Sequence, residues 1–137
     1  MPGQHASTEI VVGTRDTAHH VGSGKIKVLA TPVMVMLLEE AALNAVEGLL
    51  PEGYQTVGTR LDIKHIAATP VGMRVNAHAE VINVTGRTIV FKIWADDECE
   101  RISEGEHERV VVELHRFDNR IQQKQTSRDY LQRATHC

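Results

Sequence analysis

Aromatic side chains are scarce in this 137-residue chain: two Phe, two Tyr and one Trp, so valine and alanine must supply much of the core. Cysteine is almost missing too. Cys99 and Cys137 stand alone in a chain long enough to bury a core of its own, which excludes a disulfide scaffold and points to reduced thiols in the cytoplasm. No cluster of Lys and Arg exceeds what a solvated surface carries, and the net charge is −3, so nucleic acid is not expected as a partner. Long apolar runs are absent as well. The longest, Val33–Leu38, is far shorter than a membrane span, and Met1–Thr8 has neither the basic start nor the apolar centre of a signal peptide. No phosphate loop, dinucleotide fingerprint or nucleophile elbow occurs. His19-His20 has no further residue at ligand spacing, so no metal is expected. These absences leave a soluble protein with a single domain spanning 1–137, in which 1–8 and about 120–137 are expected to be loose or peripheral.

What is present begins with a helix. Thr31 suits an N-cap, Pro32 suits the first helical position, and Pro51 and Gly53 are stop signals after about Leu49. Glu40, Asn44 and Glu47 recur at i, i+4 and i+7 and form a solvent stripe. Glu39 falls about 100° away from that stripe, among Val35, Met36, Leu43 and Val46. Burying a carboxylate there costs several kcal/mol unless it is paired or neutralised.

After the helix the period changes to two. Val57, Leu61 and Ile63 alternate with charged residues, and His65 falls in the apolar phase. Val75, Ala77, Ala79 and Val81 alternate likewise, Thr85-Gly86-Arg87 marks a hairpin, and Ile89, Phe91, Ile93 and Ala95 continue the pattern. Asp96-Asp97-Glu98 reads as a turn, Gly105–Phe117 as a last strand, and Asp118–Cys137 as a mobile tail or weak helix; His115 and His136 read as surface. Glu9–Gly13 precedes the helix as a short strand, and Asp16–Gly24 reads as a turn-rich connection. An apolar helix needs cover on most sides, so the fold class is α+β, an antiparallel sheet wrapped round a central helix.

Hydroxyl, carboxylate and imidazole in one pocket make a kit for hydrolysis. Each member also has a bland reading. Thr31 suits a simple cap, although a helix N-terminus also attracts developing negative charge. Glu39 could pair with a buried Arg or His, and His65 could be a satisfied core histidine. Gly58 could mark a bulge, or let a ligand approach a backbone N–H. Arg109 could be a surface cation facing Glu108 or Glu113, or an anchor for a carboxylate or phosphate.

From Val28 to Lys124 the sequence resembles the fluoroacetyl-coenzyme A thioesterase family of the hot-dog fold superfamily. The resemblance rests on Ala30-Thr31-Pro32 with Glu39 eight residues later, on Gly58-Thr59, on His65-Ile66-Ala67-Ala68-Thr69-Pro70-Val71-Gly72 and on His107-Glu108-Arg109. It implies a homodimer with sheets joined edge to edge and a catalytic group of Thr31, Glu39 and His65. Thr31 would position the reacting group, Glu39 would be nucleophile or general base, and His65 would move protons to and from the thiolate. Gly58 and Arg109 would lie at the substrate. The family's fluoroacetyl enzyme carries a longer, aromatic-rich segment before its threonine. Here Gly22–Lys27 is short and has no aromatic, so the resemblance carries over the catalytic group but not the acyl selectivity.

The expected activity is therefore hydrolysis of a short acyl-CoA thioester, with acyl-CoA as the small-molecule partner and no cofactor or metal. Two rivals use the same fold: a non-catalytic acyl-CoA binder or sensor, and a hydratase acting on an enoyl thioester.

Overall fold

The computed structural model describes residues 1–136; Cys137 lies outside the described residues, as do the side chains of 134–136, His136 among them. In chain order the elements are β1 (His5–Val11), a short α1 (Ala18–Val21), α2 (Thr31–Val46), β2 (Tyr54–His65), β3 (Arg74–Thr85), β4 (Thr88–Asp97), β5 (Arg101–Glu113) and α3 (Leu114–His136), with single 3-10 turns at Thr14–Asp16 and Glu47–Leu49. The strands form one antiparallel sheet in the order β1-β3-β4-β5-β2. This is the expected α+β hot-dog arrangement, with β1 and β2 as the sheet's edges.

Two periodicities meet in the core. Val75, Ala77, Ala79 and Val81 of β3, with Ile89, Phe91, Ile93 and Ala95 of β4, are fully buried, and they pack with Met34, Leu38, Ala41, Ala42 and Val46 of α2. Alanines on both surfaces let the helix approach the sheet closely, which is how a core with a single large aromatic, Phe91, stays filled. Glu40, Asn44 and Glu47 face solvent as the helical period requires.

Four expectations change. The helix is capped by Ala30, not Thr31. The N–H groups of Leu29 and Ala30 are held by the Thr69 and Asp16 carbonyls, at 2.8 Å each, so Ala30 stays extended and Thr31 becomes the first helical residue, its hydroxyl not used as a cap. β1 starts at His5 rather than Glu9, because Ala6, Thr8 and Ile10 alternate inward and Gly3 is already bonded to the Val81 carbonyl at 2.8 Å. The first residues are therefore not loose from His5 onward. β5 runs over Arg101–Glu113, earlier than expected, and the polar tail is the 23-residue α3, whose start is pinned by Leu114 N–H to the Gly53 carbonyl at 2.9 Å. From residue 120 on, α3 is exposed along nearly its whole described length and peripheral.

The fourth change matters most for the site. The register of β2 against β5 shifts between Gly58 and Arg60. This bulge adds one residue, so Thr56 and Gly58 before it share the inward face with Leu61, Ile63 and His65 after it. Val57, expected inward, takes the other face and is half-buried. No described helix is long and apolar enough to cross a membrane.

Candidate active site

Thr31 and His65 come together where the start of α2 meets the end of β2. The Thr31 hydroxyl lies 2.7 Å from His65 Nδ1, the distance of a strong hydrogen bond. Either neutral tautomer satisfies this pair. The other ring nitrogen, Nε2, is buried and has no hydrogen-bond partner, so it is the free donor or acceptor. Burial lowers the imidazole pKa below its ordinary 6.5, partly offset by the Ala67 backbone, and His65 is therefore neutral at pH 7. Both residues line a cavity of about 450 Å³ whose apolar wall includes Ile26, Val28, Leu29 and Ala67. Gly24 and Lys25, from the short segment before Thr31, also line it.

Glu39 belongs to a second cluster. Expected among apolar neighbours, it is instead 43% exposed at the side chain, because α2 is uncovered on this side: Met36, expected inward, is 63% exposed. Glu39 Oε2 lies 3.5 Å from an Arg109 guanidinium nitrogen. Arg109 is not a surface cation. It is 7% exposed, donates to the Thr56 hydroxyl at 2.9 Å and to the Thr56 carbonyl at 3.1 Å, and lies 3.2 Å from His107 Nε2. Desolvation lowers its pKa and the carboxylate of Glu39 raises it, while the guanidinium stays charged. His107 is buried, with Nδ1 2.8 Å from the Arg60 carbonyl, so its Nε2 is the acceptor toward Arg109. Burial lowers the His107 pKa as well.

Gly58 completes this cluster. A Cβ there would sit 2.9 Å from Glu39 Oε2 and 3.2 Å from His107 Cε1. The glycine therefore leaves the space that the carboxylate uses, beside an exposed stretch of backbone.

The five expected site residues thus form two groups: Thr31 with His65, and Glu39 with Gly58 and Arg109. Eight residues of helix separate Thr31 from Glu39, about 12 Å of rise. Among the described residues no hydrogen bond or ion pair links Glu39 to Thr31 or His65. Thr56 and His107 were not expected at the site. His107 had one signal, its place two residues before Arg109 on the same strand face. Thr56 had none, because its inward position depends on the bulge.

Residues 12–115 match the family model for fluoroacetyl-CoA-specific thioesterase. A fluoroacetyl-CoA thioesterase from Streptantibioticus cattleyicolor is 38% identical over 98 residues, which cover 72% of this chain and 70% of that protein. A solved fluoroacetyl-CoA thioesterase aligns with a TM-score of 0.83 at 32% identity, covering 90% of this chain and 96% of that one. A thioesterase superfamily member from Thermus thermophilus, 24% identical, shares the fold with a TM-score of 0.88 over 95% of this chain and 96% of its own. The chain belongs to the fluoroacetyl-CoA-specific thioesterase family and is a thioester hydrolase of the hot-dog fold.

Proposed function

We propose that this protein hydrolyses a short-chain acyl-CoA thioester with Thr31, Glu39 and His65 as its catalytic group, and with Gly58 and Arg109 at the substrate. The observation that carries this is the 2.7 Å contact between the Thr31 hydroxyl and a neutral, cavity-lining His65. An imidazole kept neutral at working pH accepts a proton from water or a hydroxyl and returns it to the leaving thiolate. Thr31 fixes its orientation through Nδ1. Glu39 attacks the thioester carbonyl or orients the water that does. The Arg109 charge and the backbone at Gly58 hold the oxygen on which negative charge develops. A thioester is activated enough that this reaction needs neither metal nor redox cofactor. We place the protein in the cytoplasm, in keeping with the exposed, unpaired Cys99.

The active unit in this reading is a homodimer. β2 is a sheet edge with free backbone groups, and exposed Met36 and Ile66 adjoin the two half-sites in the chain. Antiparallel pairing of β2 with its own copy, about a twofold near Leu61 and Asp62, sets His65 opposite the partner's Gly58. Each site would then join Thr31 and His65 of one protomer to Glu39 and Arg109 of the other.

The distance that supports His65 as proton carrier also suits a nucleophile and its base, which favours a second reading with Thr31 attacking directly. Thiol release, followed with a thiol-reactive dye across acetyl-, fluoroacetyl- and longer acyl-CoA esters, tests the activity. Turnover that disappears in His65→Ala supports it. Binding without turnover across the panel would move the chain to the sensor reading, and loss of the conjugated absorbance of crotonyl-CoA would indicate a hydratase. Intact mass after rapid acid quench separates the mechanisms: an acyl adduct on Glu39, an adduct on Thr31, or none if water attacks.

A further inference from the structure

One buried titratable group takes no part in the chemistry proposed above. His107 is 1% exposed and sits on the inward face of β5, two residues before Arg109. The partners of its two ring nitrogens fix its protonation state. Nδ1 lies 2.8 Å from the Arg60 carbonyl, which can only accept, so Nδ1 carries the proton. Nε2 lies 3.2 Å from Nη1 of Arg109, a guanidinium nitrogen that can only donate, so Nε2 keeps its lone pair. Phe91 of β4 lies against the ring with centroids 6.0 Å apart, and the missing Cβ of Gly58 leaves room for Cε1. Arg109 then divides its donors. Its Nε donates to the Thr56 hydroxyl at 2.9 Å and its Nη2 to the Thr56 carbonyl at 3.1 Å. Nη1 has two N–H groups and faces two acceptors, His107 Nε2 and, at 3.5 Å, Glu39 Oε2.

We infer that His107 is a positioning residue: as the neutral tautomer with its proton on Nδ1, it takes one Nη1–H of Arg109 and thereby turns the other toward Glu39. The inference rests on the hydrolase reading above, in which Glu39 acts at the thioester carbonyl, and adds a group that touches neither substrate nor the reacting atoms. The guanidinium is planar and its two Nη1–H groups diverge at a fixed angle, so an acceptor that fixes one fixes the other. Glu39 depends on this contact. Its side chain is 43% exposed and has no other hydrogen bond or ion pair among the described residues. Protonation of His107 would break the arrangement. An N–H would then point from Nε2 at Arg109 Nη1, setting two cations 3.2 Å apart with no acceptor between them. The charged groups facing the ring are Arg109 and Glu108 from its own strand and Glu39 from α2, while β2 contributes the Arg60 carbonyl and β4 contributes Phe91. Burial, the largest influence, and Arg109 oppose protonation, whereas the Arg60 carbonyl, Glu39 and Glu108 favour it. His107 is therefore neutral at pH 7, and acid that protonates it disarms the site independently of His65.

The test uses the full chain with His107→Gln and His107→Leu. The glutamine Oε1 accepts from Nη1 and does not titrate; leucine offers no acceptor. At about pH 8, His107→Leu is expected to lower kcat for acyl-CoA hydrolysis at least about tenfold, and His107→Gln to restore it to within about threefold of wild type. Toward acid, log kcat/KM should fall more steeply in wild type than in the glutamine variant, by one proton, because of the two imidazoles only His65 then remains. Melting temperatures over the same range identify where the protein stays folded. A leucine variant as active as the glutamine variant, or acid limbs of equal slope in folded protein, overturns the inference. Should the leucine variant fail to fold, the glutamine variant's acid limb decides. Long-range proton–nitrogen NMR spectra read the arrangement without substrate. His107 should show a protonated Nδ1 and a bare Nε2, and the Arg109 Nε–H resonance should move as His107 titrates. A proton on Nε2 at about pH 8 overturns the inference whether or not any thioester is cleaved. The expected spectra in a chain that hydrolyses no thioester would instead overturn the hydrolase reading and leave the His107–Arg109 arrangement standing.

Discussion

The two half-sites are built from similar residue types and do opposite things with them. Around His65, burial without a counter-charge keeps an imidazole neutral and leaves one ring nitrogen unpartnered. Around Arg109, burial comes with a carboxylate, a hydroxyl, a carbonyl and a second imidazole, and the cation is held by all four. The first arrangement leaves a neutral imidazole with one ring nitrogen free to accept a proton and give it up again. The second resists any change of charge. A hydrolase needs both: a group that moves protons, and a fixed field where charge develops. The difference lies in the partners that surround each group, since both groups are largely removed from solvent.

Breaking the mobile half is expected to have the largest effect. His65→Gln keeps a polar side chain of similar reach but removes proton transfer, so kcat should fall by about 10²–10⁴-fold with little change in thermal stability. Glu39→Gln should lower kcat comparably. It should also cost stability, because it leaves the buried Arg109 charge without its carboxylate. Thermal melts of the two variants side by side check this contrast. Equal melting temperatures would mean that the Glu39–Arg109 contact, at 3.5 Å, contributes nothing to the fold.

Arg109→Met probes the fixed half from the other side. The carboxylate it abandons is already partly in water, so the loss is that of the hydrogen bonds to Thr56, about 1–3 kcal/mol. Urea unfolding reads this number. A loss below about 0.5 kcal/mol would show that the Thr56 contacts are replaced by solvent.

Much of this comparison was legible in the sequence, and the part that was not has one physical origin. Alternation and the 3.6 period show where a side chain points relative to its own element. They placed Leu61, Ile63 and His65 on one face of β2, and they separated Glu39 from Glu40. They carry no information about an inserted residue, so the switch of face at Gly58–Arg60, which brings Thr56 and Gly58 inward, was not visible. Arg109 read equally well as surface or anchor, because a charge at the start of an apolar strand says nothing about which buried acceptors await it. Glu39 was expected to be enclosed, because the helical wheel assumes cover on every apolar side; α2 is open beside Met36. α3 read as a mobile tail or a weak helix for the same reason reversed: with little in the described chain to pack against, it carries no strong apolar stripe.

Gly58→Ala sharpens the comparison without removing any functional group. The new methyl would stand 2.9 Å from the Glu39 carboxylate and 3.2 Å from His107 Cε1. The carboxylate is the end of a flexible side chain and can move, so the stability cost should stay near 1 kcal/mol, while kcat falls at least about tenfold as Glu39 leaves its position. The double variant Gly58→Ala/Glu39→Gln distinguishes displacement from a general distortion. If Gly58 acts through Glu39, the alanine adds no further loss of kcat once the carboxylate is gone. An undiminished additional loss would mean that the methyl blocks the substrate itself.

The smallest expected effect is on stability against pH, and there the two halves behave alike. His65 and His107 both have folded pKa values lowered chiefly by burial, from an unfolded value of 6.5. Above 6.5 both are neutral whether folded or not, and they add no pH dependence. As pH falls below 6.5 the unfolded chain takes up protons that the folded chain does not, so stability declines until the folded values are passed. His78, also lowered by burial, with repulsion from His5 the next contribution, adds to the same slope from the opposite end of the sheet. Melting temperature measured between pH 7.5 and about 5 should therefore be flat at first and then fall. His65→Gln should make that fall shallower without abolishing it, because His107 and His78 remain. A stability that rises on acidification through this window would mean that these imidazoles gain an anionic partner on protonation, and the neutral His65 that the proposed proton transfer requires would have to be abandoned.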